Sequence, residues 1–137
     1  MEKTSILYPA ISMMTLTLFI YVKNYLDNRK AVLNKSIKFS YFKTYKGDVP
    51  DYMTVSRQTL KNQFELPIFF YFLVSIILAF DKVSQLDIIF AWLFSASRYL
   101  HCYIRLSSNH VPYRGKIFQL SMFILIVWWI VFLYNIL

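Results

Sequence analysis

The sequence predicts an all-α integral membrane protein whose helices pack as one four-helix bundle. Three observations carry this. Of 137 residues, 58% are hydrophobic and only 16% charged, and the apolar residues fall in long uncharged runs. That is the composition of a bilayer-embedded chain rather than a soluble domain. The basic excess, a formal charge of +8, lies between the apolar runs, where it suits anionic lipid headgroups better than nucleic acid. The only glycines are Gly47 and Gly115, so Gly-rich phosphate loops and GxxxG helix contacts are excluded. A chain of this length reads as one domain, 1–137.

The first span covers about residues 5–26 and is uncharged up to Lys23, long enough to cross a ~30 Å hydrocarbon core. The start, Met1-Glu2-Lys3, has no net side-chain charge and no small-residue cleavage site follows, so the span reads as retained rather than as a cleaved signal. The next segment carries Arg29, Lys30, Lys35, Lys38, Lys43 and Lys46 among Phe39, Tyr41, Phe42, Tyr45 and Tyr52. It reads as a cytoplasmic loop resting on headgroups, closed by a turn at Gly47-Asp48-Val49-Pro50. The second helix starts near Asp51 or Thr54, either of which can cap it. Its span covers about residues 57–80, with a kink or loosening at Pro67 beside Glu65. The third span covers about residues 86–106, apolar in its first half. The fourth covers about residues 117–137, with Trp128, Trp129 and Tyr134 suited to an outer interface. Loops one and three hold nearly all the Lys and Arg, which predicts both termini on the non-cytoplasmic side.

This topology gathers polar residues at one end. Asn62 and Glu65 sit where the second helix turns from polar to apolar. Arg98, His101 and Arg105, spaced three and four apart, share one face of the third helix. Arg114 and Lys116 approach the fourth helix from the same side, and Arg29 leaves the first there. A carboxylate at the mouth of an apolar span is costly to desolvate and calls for a cationic partner, and Arg98 is the first choice for Glu65. The set reads either as a basic pocket for a polar anion or, for Glu65 and Arg98 alone, as an ion pair orienting two helices. No metal is expected, because no second histidine stands at ligand spacing on the third helix. Cys102, one residue from His101, points elsewhere and reads as a small core residue. Serine-hydrolase and dinucleotide motifs are absent.

The ordered set Asn62-x-x-Glu65-x-Pro67, Arg98-x-x-His101 and Pro112-x-Arg114 resembles the MAPEG family, the membrane-associated proteins in eicosanoid and glutathione metabolism. The likeness covers nearly the whole chain. It implies a left-handed four-helix bundle assembled as a homotrimer, with glutathione held as co-substrate between subunits near the cytoplasmic side. Carried over by position, Asn62, Glu65, Arg98 and His101 would hold glutathione, with Arg29 matched more loosely; Arg105, on the same helix face, would add a charge for its carboxylates. Arg114 would stand beside the sulfur as the catalytic residue. Two positions depart from the synthase pattern: Arg105 and Phe118 stand where tyrosines are common. Phe64-Glu65-Leu66-Pro67 with Asn109 and Arg114 looks more like the bacterial branch, which implies a bacterial inner-membrane setting.

The expected function is a glutathione-dependent transferase or peroxidase for lipophilic electrophiles. A thiol with a pKa of about 8.5 is mostly protonated at neutral pH, and a permanently charged guanidinium favours its anion. Arg114 would supply that charge, while Phe69, Phe70 and Phe118 would admit the apolar substrate from the bilayer. The alternative is a non-enzymatic member that binds a lipid or amphipathic anion or assists a partner membrane protein. A small transporter has less support, since the first and fourth spans carry no deep charge.

Overall fold

The computed structural model describes residues 3–136. The reading of Met1 and Glu2 and the end of the fourth span at Leu137 lie outside the described residues. The described chain is all-helical: α1 (Leu7–Leu33), α2 (Asp51–Asn62), α3 (Leu66–Ala79), α4 (Gln85–Leu106) and α5 (Val111–Ile136), with short 3₁₀ turns at Lys3–Ile6 and Phe39–Lys43. α2 and α3 are two parts of one pass, so the chain makes four passes. Three of these are long and apolar enough to cross a membrane by themselves, over residues 4–33, 51–79 and 111–136. α4 is long enough but carries Asp87, Arg98 and Arg105, all buried. It packs most extensively on α5 and also touches α1 and α2.

The outward surface is apolar. Leu18, Phe19, Phe69, Phe72, Phe123 and Ile130 are each more than half exposed, an arrangement that suits lipid and not water. The main core joins all four passes through Met13 and Ile20 of α1, Phe70 and Ile77 of α3, Phe94 of α4 and Trp128 of α5. Phe70 is fully buried and stacks on Phe94 at 4.9 Å between ring centres. Of the three aromatics expected at the membrane face, Phe69 is exposed, Phe118 is half-buried and Phe70 belongs to the core.

α1 runs seven residues beyond the expected end at Leu26. Lys23 and Asp27 form an i, i+4 ion pair across this extension, and α1 stops where Lys35 turns left-handed at φ 56°. There Ser36 N donates to Ala31 O at 3.0 Å and Lys35 N to Val32 O at 3.0 Å, satisfying carbonyls the helix end leaves free. The basic loop folds back instead of only resting on lipid. Tyr41 joins Ala31, Ile37 and Met53 in a second small core, and its hydroxyl accepts from Arg57 Nη1 at 2.6 Å.

Two further expectations change. α2 begins after Pro50 without a side-chain cap, so Asp51 is its first helical residue and Thr54 lies inside it. α5 begins at Val111, not Ile117, taking Pro112 into its first turn, where proline's missing N–H is harmless. Gly115 is therefore helical, and a Cβ there would meet nothing within 4 Å. It marks no close backbone approach.

The far end holds a lock the sequence reading passed over. Ser84 and Asp87 form a reciprocal capping box at the start of α4. The second Asp87 oxygen accepts from Trp128 Nε1 at 2.7 Å. Trp128 is thus a fully buried core residue and not an interface anchor.

Candidate functional site

The site begins with a broken helix. Proline at 67 has no N–H to donate to the carbonyl of Gln63, so a continuous α2–α3 helix would lose a bond there. The chain instead ends α2 at Asn62, turns through residues 63–65 and restarts with Pro67 in the first turn of α3. Sequence reading expects a kink; the structure has a full interruption. α3 alone has 14 residues, which at 1.5 Å per residue is about 21 Å, so the break falls within the bilayer. Irregular backbone at that depth is tolerated only against protein or a wet cavity.

Arg98 meets the break. It is fully buried, and its Nη2 donates to the main-chain carbonyl of Asn62 at 3.2 Å. Its guanidinium carbon lies 5.6 Å from the centre of the Phe118 ring, close enough for a cation–π contact. His101, one turn along α4, is buried with its ring centre 5.8 Å from that of Phe118. Arg105, a further turn on, is buried and donates from Nη2 to Gln58 Oε1 at 2.5 Å. Arg114, half-buried on the first turns of α5, donates to Asn109 Oδ1 at 2.5 Å. Asn109 ends the α4–α5 turn in a left-handed conformation, φ 49°, which asparagine tolerates well. Its own N–H closes α4 by donating to Ile104 O at 2.8 Å. Gln63, in the break, is buried and donates from Nε2 to Cys102 Sγ at 3.1 Å.

These contacts leave unmet capacity. Seven buried side-chain polar atoms among the described residues lack a hydrogen-bond partner, and five lie here: Gln63 Oε1, Arg98 Nε, Arg98 Nη1, His101 Nδ1 and Arg105 Nε. Each such atom costs about 1–3 kcal/mol when nothing meets it. Such a concentration at one place is the mark of a site that something else completes.

Most of the expected site residues come together, but not all. Asn62 supplies its main-chain carbonyl to the cluster. Arg98, His101, Arg105 and Arg114 converge there from α4 and α5. Glu65 does not pair with Arg98: its side chain is exposed and lies 4.0 Å from Lys61 Nζ. The break turns it outward, and Arg98 bonds to backbone instead. Arg29 is also elsewhere. It stands two residues from both Asp27 and Ala31, the buried side of α1, and so faces the opposite side. It lines a groove with Asn28, Phe39 and Phe42. Gln58 and Gln63 were missed. Gln58 sits four residues before Asn62, a helical spacing that could have revealed it; nothing in the local pattern singles out Gln63. No group of three or more His, Cys, Asp or Glu side chains suited to a metal occurs among the described residues.

No curated protein and no solved structure gives a significant match to the chain. An all-helical membrane bundle is what the resemblance in the sequence implies, and here Arg98 and His101 lie buried on one face of α4. A family model described as MAPEG family matches residues 6–134, nearly the whole chain, and the protein therefore belongs to the MAPEG family.

Proposed function

We propose that this protein is a membrane-embedded, glutathione-dependent transferase or peroxidase for lipophilic electrophiles. The family includes enzymes of that kind. The observation that carries the reading is the cluster of unmet polar atoms on Arg98, His101, Arg105 and Gln63. Three of them, Arg98 Nε and Nη1 and Arg105 Nε, are cationic donors, which suits carboxylates. Gln63 Oε1 is an acceptor, which suits an amide or ammonium. A small peptide with two carboxylates, an amine and two amides offers this complement. Glutathione, when bound, supplies the thiol nucleophile.

In this reading Arg98 and Arg105 anchor the carboxylates, and the buried setting strengthens each bond by excluding water. Arg114, held by Asn109, presents a fixed positive charge that favours the ionised form of a thiol beside it. Conjugation then joins sulfur to the electrophilic carbon as the leaving group departs with its electron pair. Glu65 faces outward in this protomer, so its contribution would come across the boundary of a homotrimer. Arg29 faces the other side of α1 and is left out.

The decisive experiment is glutathione binding to the detergent-purified protein, followed by turnover with a model aryl halide. Arg114→Ala should remove most turnover and leave much of the affinity. One charge-assisted hydrogen bond is worth roughly 1.5–3 kcal/mol, a factor of about 10 to 150. Arg114→Lys should rescue in part, because a compact ammonium does not reproduce the planar fork. Failure to bind glutathione removes the mechanism. Binding without the ultraviolet band of a thiolate near neutral pH favours the second reading, a non-enzymatic binder of an amphipathic anion. One observation supports that alternative: Arg105, where synthases commonly carry tyrosine, is already engaged by Gln58.

A further inference from the structure

We propose that the groove between the C-terminal part of α1 and the Phe39–Lys43 turn is a binding site for one anionic glycerophospholipid. The groove has a volume of about 300 Å³ and is lined by Asn28, Arg29, Leu33, Phe39 and Phe42, among others. Small-molecule sites start at roughly this size, so it takes a headgroup and the adjoining part of one acyl chain, not a whole lipid.

The position along the membrane fits. At 1.5 Å per residue, Arg29 lies about 33 Å beyond Leu7, the first residue of α1. A hydrocarbon core is ~30 Å thick, so Arg29 stands at the headgroup level when α1 crosses it. The charge fits as well. Arg29 is exposed and has neither a hydrogen-bond nor an ion-pair partner among the described residues, whereas the nearby Lys30 already lies over the Tyr52 ring at 4.9 Å. Lys35, Lys38 and Lys43 on the same loop are exposed and raise the local positive potential towards an anionic surface. A planar guanidinium offers a phosphate two parallel donors.

Two further features separate a seated lipid from general adhesion. Asn28 lines the groove, where its amide can meet a headgroup hydroxyl such as that of phosphatidylglycerol. Phe39 is 78% exposed beside Leu33 and Phe42, a large apolar surface at the rim where an acyl chain begins. Its edge-on contact with Phe42, 5.8 Å between ring centres, holds the rim in place.

The test is native mass spectrometry of the full chain in detergent with equal phosphatidylglycerol and phosphatidylcholine of matched acyl chains. The wild type should retain phosphatidylglycerol in preference. Arg29→Ala should cut that preference about tenfold, the loss of one charge-assisted bond, and Arg29→Glu should abolish it. Phe39→Ser should lower retention of both lipids. Both positions are exposed, so the variants should keep the parent's circular dichroism. Arg98→Met, at the separate site described above, should leave lipid retention unchanged. Equal retention of the two lipids, or an Arg29→Ala variant that retains phosphatidylglycerol as the wild type does, overturns the proposal. So does displacement of the lipid by the water-soluble glycerophosphoglycerol headgroup at equal concentration, which would mean that the headgroup alone is read and the acyl chain contributes nothing.

Discussion

Replacing Arg98 by methionine separates a structural role from a binding one. The residue is fully buried, makes one hydrogen bond, to the carbonyl of Asn62 at 3.2 Å, and leaves Nε and Nη1 unmet. Methionine is also long and unbranched but carries no charge. The substitution deprives the Asn62 carbonyl of a donor, a loss of about 1–3 kcal/mol. It also removes a buried cation whose desolvation costs several kcal/mol. The two effects oppose each other, so the thermal unfolding midpoint in detergent should hold or rise. Ligand binding should respond differently. If both unmet nitrogens serve a carboxylate, their loss removes about 3–6 kcal/mol, roughly 10²- to 10⁴-fold in Kd. Calorimetric titration with glutathione beside a thermal melt measures both. A variant several degrees less stable that still binds glutathione as tightly as the wild type would make Arg98 a strut for the broken helix and refute the reasoning.

Three other outcomes are expected. Trp128→Phe should lower stability by about 1–3 kcal/mol, because it leaves a buried oxygen of Asp87 without its donor, while glutathione affinity stays unchanged; a thermal melt and a titration check this. Glu65→Gln keeps a hydrogen-bonding side chain of the same shape beside Lys61, so the fold should be retained in the same melt, yet glutathione binding should weaken if Glu65 acts across a subunit boundary. Cysteines placed at Lys43 and Lys82 should label from opposite sides, Lys43 from the cytoplasm, with little background because native Cys102 is buried; labelling of position 43 from the other side overturns the proposed orientation.

The helices were legible because a bilayer demands long apolar runs, and such runs survive in sequence without any knowledge of packing. The Arg98, His101 and Arg105 face was legible for a related reason: charges at helical spacing inside an apolar span are rare enough to stand out. The end of α1 and the start of α5 were not: α1 runs on to Leu33 and stops where Lys35, not the glycine that usually announces such an end, turns left-handed. The ends near Phe80 and Leu106 were legible from the polar turns that follow them. Partner choice was the other blind spot. A carboxylate three residues after Asn62 looks like the natural mate of Arg98, but a break in the backbone decides where Glu65 points, and a main-chain carbonyl outcompetes it. Asp87 was overlooked because one acidic residue in an apolar half-helix reads as noise until Trp128 is known to face it.

The break and the buried arginine explain each other. A helix interrupted within the bilayer leaves carbonyls that lipid cannot satisfy, and a guanidinium buried beside them needs acceptors it cannot find in hydrocarbon. Bringing the two together satisfies part of each. The fit is incomplete on both sides: Arg98 keeps two unmet nitrogens, and Gln63 keeps an unmet side-chain oxygen within the break itself. A purely structural cap would need neither His101 nor Arg105 on the same face, since one donor serves one carbonyl. The surplus of donors is therefore in excess of what holding the helix requires, and in the proposed function it is what an anionic ligand would take up.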